Sequence, residues 1–182
     1  ELVLVGCAMH KYTKKQQEFA EIGRAVEQQF NIKIVSDGRW FHEGGEIHRK
    51  ALVKLFSTVL KRDSDGVFWL ETPVEKGRIE VEDAPFIATA LTVERADDAQ
   101  LDRDATLYFI TNVDDHVPLD AAHPLQMLPS PDGSGMRPYI EVRDGLLAKL
   151  SRPVYYELAA RAEAGDDGRI GVWSHDHFFI LE

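Results

Sequence analysis

A single cysteine, Cys7, stands in the 182 residues, so no internal disulfide can form and a thiolate zinc cage cannot be built. No apolar run approaches the roughly 20 residues that a membrane helix requires, so no membrane span is expected. Basic charge is also short: 21 Lys and Arg face 31 Asp and Glu, a formal net charge of −10. The deficit is uneven, because residues 1–62 carry eleven Lys and Arg against seven acids, and residues 63–182 carry ten against twenty-four. Binding a long nucleic-acid duplex takes an extended basic surface, since affinity comes from neutralising many phosphates. The acidic majority argues against that class and leaves room for a local anion site in the basic third. With 44% hydrophobic and 29% charged residues, disorder is excluded as the overall state. One cysteine fits a reducing, cytoplasmic setting. Leu4-Val5-Gly6-Cys7 has the pattern of a lipoprotein cleavage box, but no positively charged leader is visible before it. A buried strand carrying a small apolar Cys is the expected reading.

What is present is a constellation that occurs twice. A short apolar stretch runs into Asp-Gly, an Arg opens an amphipathic helix, and an acidic turn ending in Asp-Gly leads into a strand with an aromatic. The first copy is Ile32 to Val35, Asp37-Gly38, Arg49, Asp63 to Gly66 and Trp69; the second is Tyr139 to Val142, Asp144-Gly145, Arg152, Gly165 to Gly168 and Trp173. The pattern predicts an α+β protein of duplicated helix-plus-antiparallel-sheet units, with function expected where the copies meet.

Thr13 and Gln16 form a capping-box pattern, and Phe19, Ile22, Val26 and Phe30 follow at helical spacing, so a strand and a helix are expected in residues 1–30. Ile32 to Glu43 reads as a hairpin around Asp37-Gly38. Ile47 to Leu60 draws one apolar helical stripe ending near Arg62. Strands are expected at 67–72, 78–82, 86–94, 105–113, 138–143, 170–174 and 178–181, with a helix over 151–164. Ala96 to Asp104 reads as an acidic hairpin tip without the alternating ligands of a calcium loop, and 114–136 as one long loop. The division expected is 1–30, a first copy over 31–82 and a second over 83–182.

Catalytic signatures do not hold up. Ser174-His175-Asp176 contains the residue types of a hydrolytic triad, yet neighbours on a strand point to opposite faces. His175 and His177 would share a face of a regular strand, but two imidazoles are too few to specify a metal, and a polar turn explains them equally. Gly133-Ser-Gly135 lacks the strand and helix of a dinucleotide fingerprint. Glu75, Glu82 and Asp83 could support acid–base chemistry in a cleft, but no nucleophile, metal cage or cofactor loop accompanies them. The reading is therefore non-enzymatic, with no cofactor and no metal.

The helix starts point elsewhere. His48, Arg49 and Lys50 sit in one first turn and Arg152 opens the other, where cations oppose the helix dipole unless a partner offsets them. Free backbone N–H groups beside an Arg suit an anion; the alternative is a local pair, such as Arg49 with Glu46 or Glu82. Arg49, Lys50, Lys76, Arg78, Arg143 and Arg152 are the candidate cations, Asn112 and Tyr156 the polar contacts, and Trp173 or Trp69 a stacking surface. A small anionic ligand held between the copies is the expected partner. The alternative is an adaptor that binds a protein along a sheet edge or the Pro-rich 117–138 loop.

SDGRWFHEGGEIHRKALVKLFSTVLKRDSDG at 36–66, TPVEKGRIEVEDAPF at 72–86, TNVDD at 111–115, HPL at 123–125, RPYIEVRDGLLAKLSRPVYYEL at 137–158 and GVWSHDHFFIL at 171–181 together resemble the bacterial family called domain of unknown function 1285. The resemblance covers the chain from about residue 31 onward. It implies a duplicated α+β architecture whose C-terminal half is similar to pleckstrin-homology-like folds. It also implies a ligand site between the halves for a small nucleotide-like or nucleic-acid-like ligand, and a role in signal transduction.

Overall fold

The computed structural model describes residues 26–95 and 105–181. The expected capping box, the strand near Cys7 and the 96–104 turn lie outside the described residues. The helical spacing through Val26 and Phe30 is overridden: β1 runs over Val26–Ile34. It turns at Asp37-Gly38 into β2 (Trp40–His42), pairing Ile32 with His42 and Ile34 with Trp40. Val35 N–H bonds Arg39 O at 3.0 Å and Gly38 N–H bonds Val35 O at 2.9 Å. Gly38 has φ +84°, and a Cβ there would meet Ile87 Cγ1 at 2.6 Å and Asn112 Nδ2 at 2.9 Å, so the turn needs glycine for both its conformation and its close approach. The same pair of turn bonds recurs at Asp63 to Val67, Thr111 to Asp115 and Gly165 to Arg169.

After β3 (Gly45–Glu46), helix α1 spans Lys50–Thr58. It is shorter than its apolar stripe, because Leu60–Arg62 leaves the helix to become β4 and pair with β5 (Phe68–Glu71). Strand β6 (Glu75–Val81) completes a six-stranded sheet in the order β3-β2-β1-β6-β5-β4. Phe30 lies on Gly77 of β6, where a Cβ would meet its ring at 2.1 Å.

The second sheet contains β7 (Phe86–Glu94), β8 (Thr106–Thr111), β9 (His116–Pro118), β10 (Leu125–Pro129), β11 (Met136–Arg143) and β12 (Leu146–Leu150). Residues 114–136 are therefore not one loop but carry two strands. The order, β10-β11-β12-β7-β8-β9, read from its other end repeats that of the first sheet. In each sheet the first and last strands form the parallel pair, β1 with β6 and β7 with β12, and the other neighbours are antiparallel. The two six-stranded mixed sheets are the duplicated elements. The first copy of the sequence constellation lies within the first sheet and its helix, whereas the second starts at Tyr139 in β11 and runs on to Trp173, outside the second sheet.

Helix α2 (Arg152–Ala159) follows β12 and stops well before 164, where Glu163–Ala164 pairs as β13 with β14 (Ile170–Ser174). β14 turns through His175 and Asp176, both at positive φ, into β15 (His177–Ile180). His175 thus lies in a turn and does not share a strand face with His177. One core joins both sheets, from Ile34 and Trp40 to Phe86, Phe109, Ile140 and Leu158. Among the described residues no helix is long and apolar enough to cross a membrane.

Candidate functional site

Three of the six expected cations, Lys50, Lys76 and Arg143, are spent on architecture. Arg143 donates to Ser57 O at 2.7 Å and Asp115 Oδ2 at 3.0 Å while lying over the Phe86 ring at 5.2 Å. It thereby supplies positive charge to the last turn of α1, which has no basic residue of its own. Lys50 and Lys54 of α1 hold Asp114 at 2.6 and 3.2 Å. These lysines keep the Asp114 carboxyl below the usual range, chiefly through the Lys50 bond. Asn112 bonds Gly38 O at 3.2 Å and Ile87 N–H at 3.0 Å, so it joins the halves. Lys76 lies over Trp69 at 4.4 Å, and Trp69 Nε1 donates to Asp63 at 2.8 Å. Trp173 packs against Phe178 at 5.2 Å.

The carboxylates are engaged as well. Glu82 pairs with Lys33 at 2.8 Å and accepts Ser36 N–H at 2.9 Å, so it is not Arg49's partner; Glu46 is held by Arg39 and His48. Asp83 is 3% exposed and takes Lys149 Nζ at 2.7 Å, Tyr139 Oη at 2.7 Å and Arg137 Nη1 at 3.5 Å. Burial first, then the Asp83 bond, raise the Tyr139 hydroxyl well above its ordinary pKa, so it stays a donor. Lys149 also bonds Ser36 O. This cluster fastens the segment between the sheets.

Among the described residues, Arg49, Arg78 and Arg152 have no hydrogen-bond or ion-pair partner. Arg49 is the N-cap residue of α1 and is exposed. Arg78 borders a cleft of about 1020 Å³ along the first sheet, where Glu80, Glu82 and Asp65 offset its charge. Arg152 has a more defined setting. Ser151 adopts extended backbone, its N–H anchored on Ala88 O at 3.1 Å, and Pro153 fixes the first turn of α2. Val154 and Leu158, one turn apart, are buried, which turns Arg152 and Tyr156 outward, while Tyr155 is half-buried against the edge of the core. Beside α2 lies a cavity of about 450 Å³ lined by Met127, Met136, Arg137, Pro138, Lys149, Arg152, Tyr155 and Tyr156, among others. Tyr156 is 68% exposed and Met136 57%.

The structure thus brings Arg152 and Tyr156 together and leaves Arg49 outside that cavity. Met127, Met136, Arg137 and Lys149 were missed, and only strand pairing brings them in. Leu146–Leu150 carries no apolar–polar alternation in sequence, and its burial alternates only within the sheet.

No curated protein matches the chain. A family model described as the DUF1285 N-terminal domain matches residues 24–84, and one described as the DUF1285 C-terminal domain, of unknown function, matches 85–181. A solved DUF1285 family protein from Silicibacter pomeroyi DSS-3 is 37% identical over 88% of this chain and 85% of that one, with a TM-score of 0.77. Another, from Shewanella baltica OS155, is 26% identical over 70% and 89%, with a TM-score of 0.52. The two models abut where Glu82 to Pro85 passes from one sheet to the next, and the chain belongs to the DUF1285 family.

Proposed function

We propose that this protein is a non-enzymatic binding protein that takes a small anionic, nucleotide-like ligand in the cavity beside α2. The observation that carries the reading is Arg152, a cation without a partner among the described residues, facing an aromatic and methionine-rich wall. Anionic groups suit a helix start next to Arg, and a flat ring suits Tyr155 and Tyr156. The contacts between the halves are closed by Arg143, Lys149 and Asn112, which favours the α2 cavity over the junction. In this reading the second sheet with α2 is the pleckstrin-homology-like unit, and ligand occupancy is a cytoplasmic signal. A thermal-shift panel of nucleotides and phosphometabolites tests it: stabilisation should appear with wild type and disappear in Arg152→Ala. Absence of any shift in a folded protein refutes it.

The adaptor reading is favoured by a different observation. Strand β10 is a sheet edge beside exposed Met136 and Tyr156, and Met, Tyr and Arg are enriched in interface cores. Capture of a protein partner that survives Arg152→Ala but not Met136→Asp would favour it.

A further inference from the structure

We infer that the ligand of the α2 cavity carries a single negative charge on an apolar or aromatic body, and is not a polyphosphate. The inference rests on the anion-binding reading above and follows from a charge count. Three cations line the cavity, Arg137, Lys149 and Arg152, and no acid does. Two of the three are already neutralised. Lys149 is bound to Asp83, whose side chain is 3% exposed. Arg137 is bound to Asp132 at 2.6 Å and to Ser134 Oγ at 3.1 Å, with its other arm on Asp83. Hydrogen bonds from Ser130 and Ser134 hold the Asp132 carboxyl far below the ordinary range, so it stays ionised.

Recruiting Lys149 to a second anionic group would strip the closest cation from the buried Asp83 carboxylate, which is strongly unfavourable, and recruiting Arg137 would break its bonds to Asp132, whose side chain is 58% exposed, and to Ser134. Arg152 is therefore the one cation able to pair with a ligand at no cost to the fold. The Ser151 hydroxyl, which makes no capping bond, is the neighbouring neutral donor.

The remaining wall specifies the body of the ligand. Met127, Met136, Pro138, Tyr155 and Tyr156 present thioethers, a pyrrolidine and two phenol rings, surfaces that adapt to flat or aliphatic shapes. A volume of about 450 Å³ lies in the range of small-molecule sites. One anionic head on an apolar body can come from a phosphodiester, as in a cyclic nucleotide, or from a carboxylate, as in a medium-chain or aryl acid.

Isothermal titration at matched ionic strength decides, using octanoate, indole-3-acetate, a 3′,5′-cyclic nucleotide and ATP. At least one monoanion should bind more tightly than ATP, and Arg152→Ala should weaken it by about tenfold or more. Tyr156→Ala should weaken it as well, with circular dichroism confirming that both variants fold. Binding by the acids alone supports the carboxylate source, and binding by the cyclic nucleotide alone supports the phosphodiester. ATP bound about tenfold more tightly than every monoanion, and dependent on Arg152, overturns the single-charge inference while leaving the anion site standing. No binding by any of the four to folded wild type overturns both.

Discussion

Arg143→Ala should be a damaging single change at the junction of the two sheets. Three contacts disappear together. The bond to Ser57 O, at 2.7 Å, joins a charged donor to the carbonyl of a residue that is 4% exposed, and such a charge-assisted bond contributes about 1.5–3 kcal/mol. The Asp115 pair, at 3.0 Å, joins side chains 34% and 37% exposed, so solvent screening reduces it to roughly 0–1 kcal/mol. The guanidinium over Phe86 contributes about 0.5–1 kcal/mol. Together these come to about 3 kcal/mol, and in a chain of this size each kcal/mol moves the midpoint by roughly 2–4 °C. Calorimetry should show Tm falling by about 6–12 °C. Arg143→Lys, which keeps the charge but not the fork, should recover part of the loss. A midpoint within about 2 °C of wild type for the alanine variant would show that Arg143 is not the clamp described here.

Gly77→Ala must push the Phe30 ring away, since a Cβ would meet Phe30 Cγ at 2.3 Å; urea melts should show a loss of about 1–3 kcal/mol, and no change would mean the ring is not seated there. Trp40 is 1% exposed with its indole N–H unpaired. Trp40→Phe should therefore stay within about 1 kcal/mol of wild type, because losing the orphan donor offsets lost packing, while Trp40→Ala should cost about 3–5 kcal/mol. His175 and Asp176 both hold positive φ; replacing them by Asn-Gly should raise stability by roughly 1–2 kcal/mol, and a fall in Tm would refute the turn assignment. Asp63, Asp114 and Asp167 have carboxyls lowered mainly by hydrogen bonds from Trp69, Lys50 and Arg169 respectively. The folded state then binds fewer protons than the unfolded, so this stability is full above about pH 5 and is lost as pH falls through the carboxylate range. Tm measured against pH should decline on that side, less steeply in Asp63→Asn.

The Asp37-Gly38 hairpin was legible because Asp-Gly suits the backbone conformation of such a turn, which is a local property. Strand β12, Leu146-Leu-Ala-Lys-Leu150, was not found because Leu, Ala and Lys favour helix, yet its buried and half-buried residues alternate once it pairs with β7 and β11. Tertiary pairing overrode propensity there, as it did at Leu60–Arg62. At the site, Arg152 and Tyr156 were visible from the helix start that Ser151 and Pro153 announce. The neutralised state of Lys149 and Arg143 was not, because their partners are carboxylates and carbonyls brought from distant segments, and charge type in sequence does not say which cation is already taken.

The parallel pair in each sheet sets the order in which the chain can be finished. Strand β1 has its hairpin partner β2 at once, but its other edge waits for β6, as Ile34 waits for Val81; β7 waits in the same way for β12. Neither sheet can close until its last strand has been synthesised, and the entropy of joining such separated segments falls in one late step. During translation the open edge of β1 is therefore a strand template looking for a partner, and the polar Gln28, Gln29, Asn31 and Lys33 along it are suited to keeping that edge in water until β6 arrives.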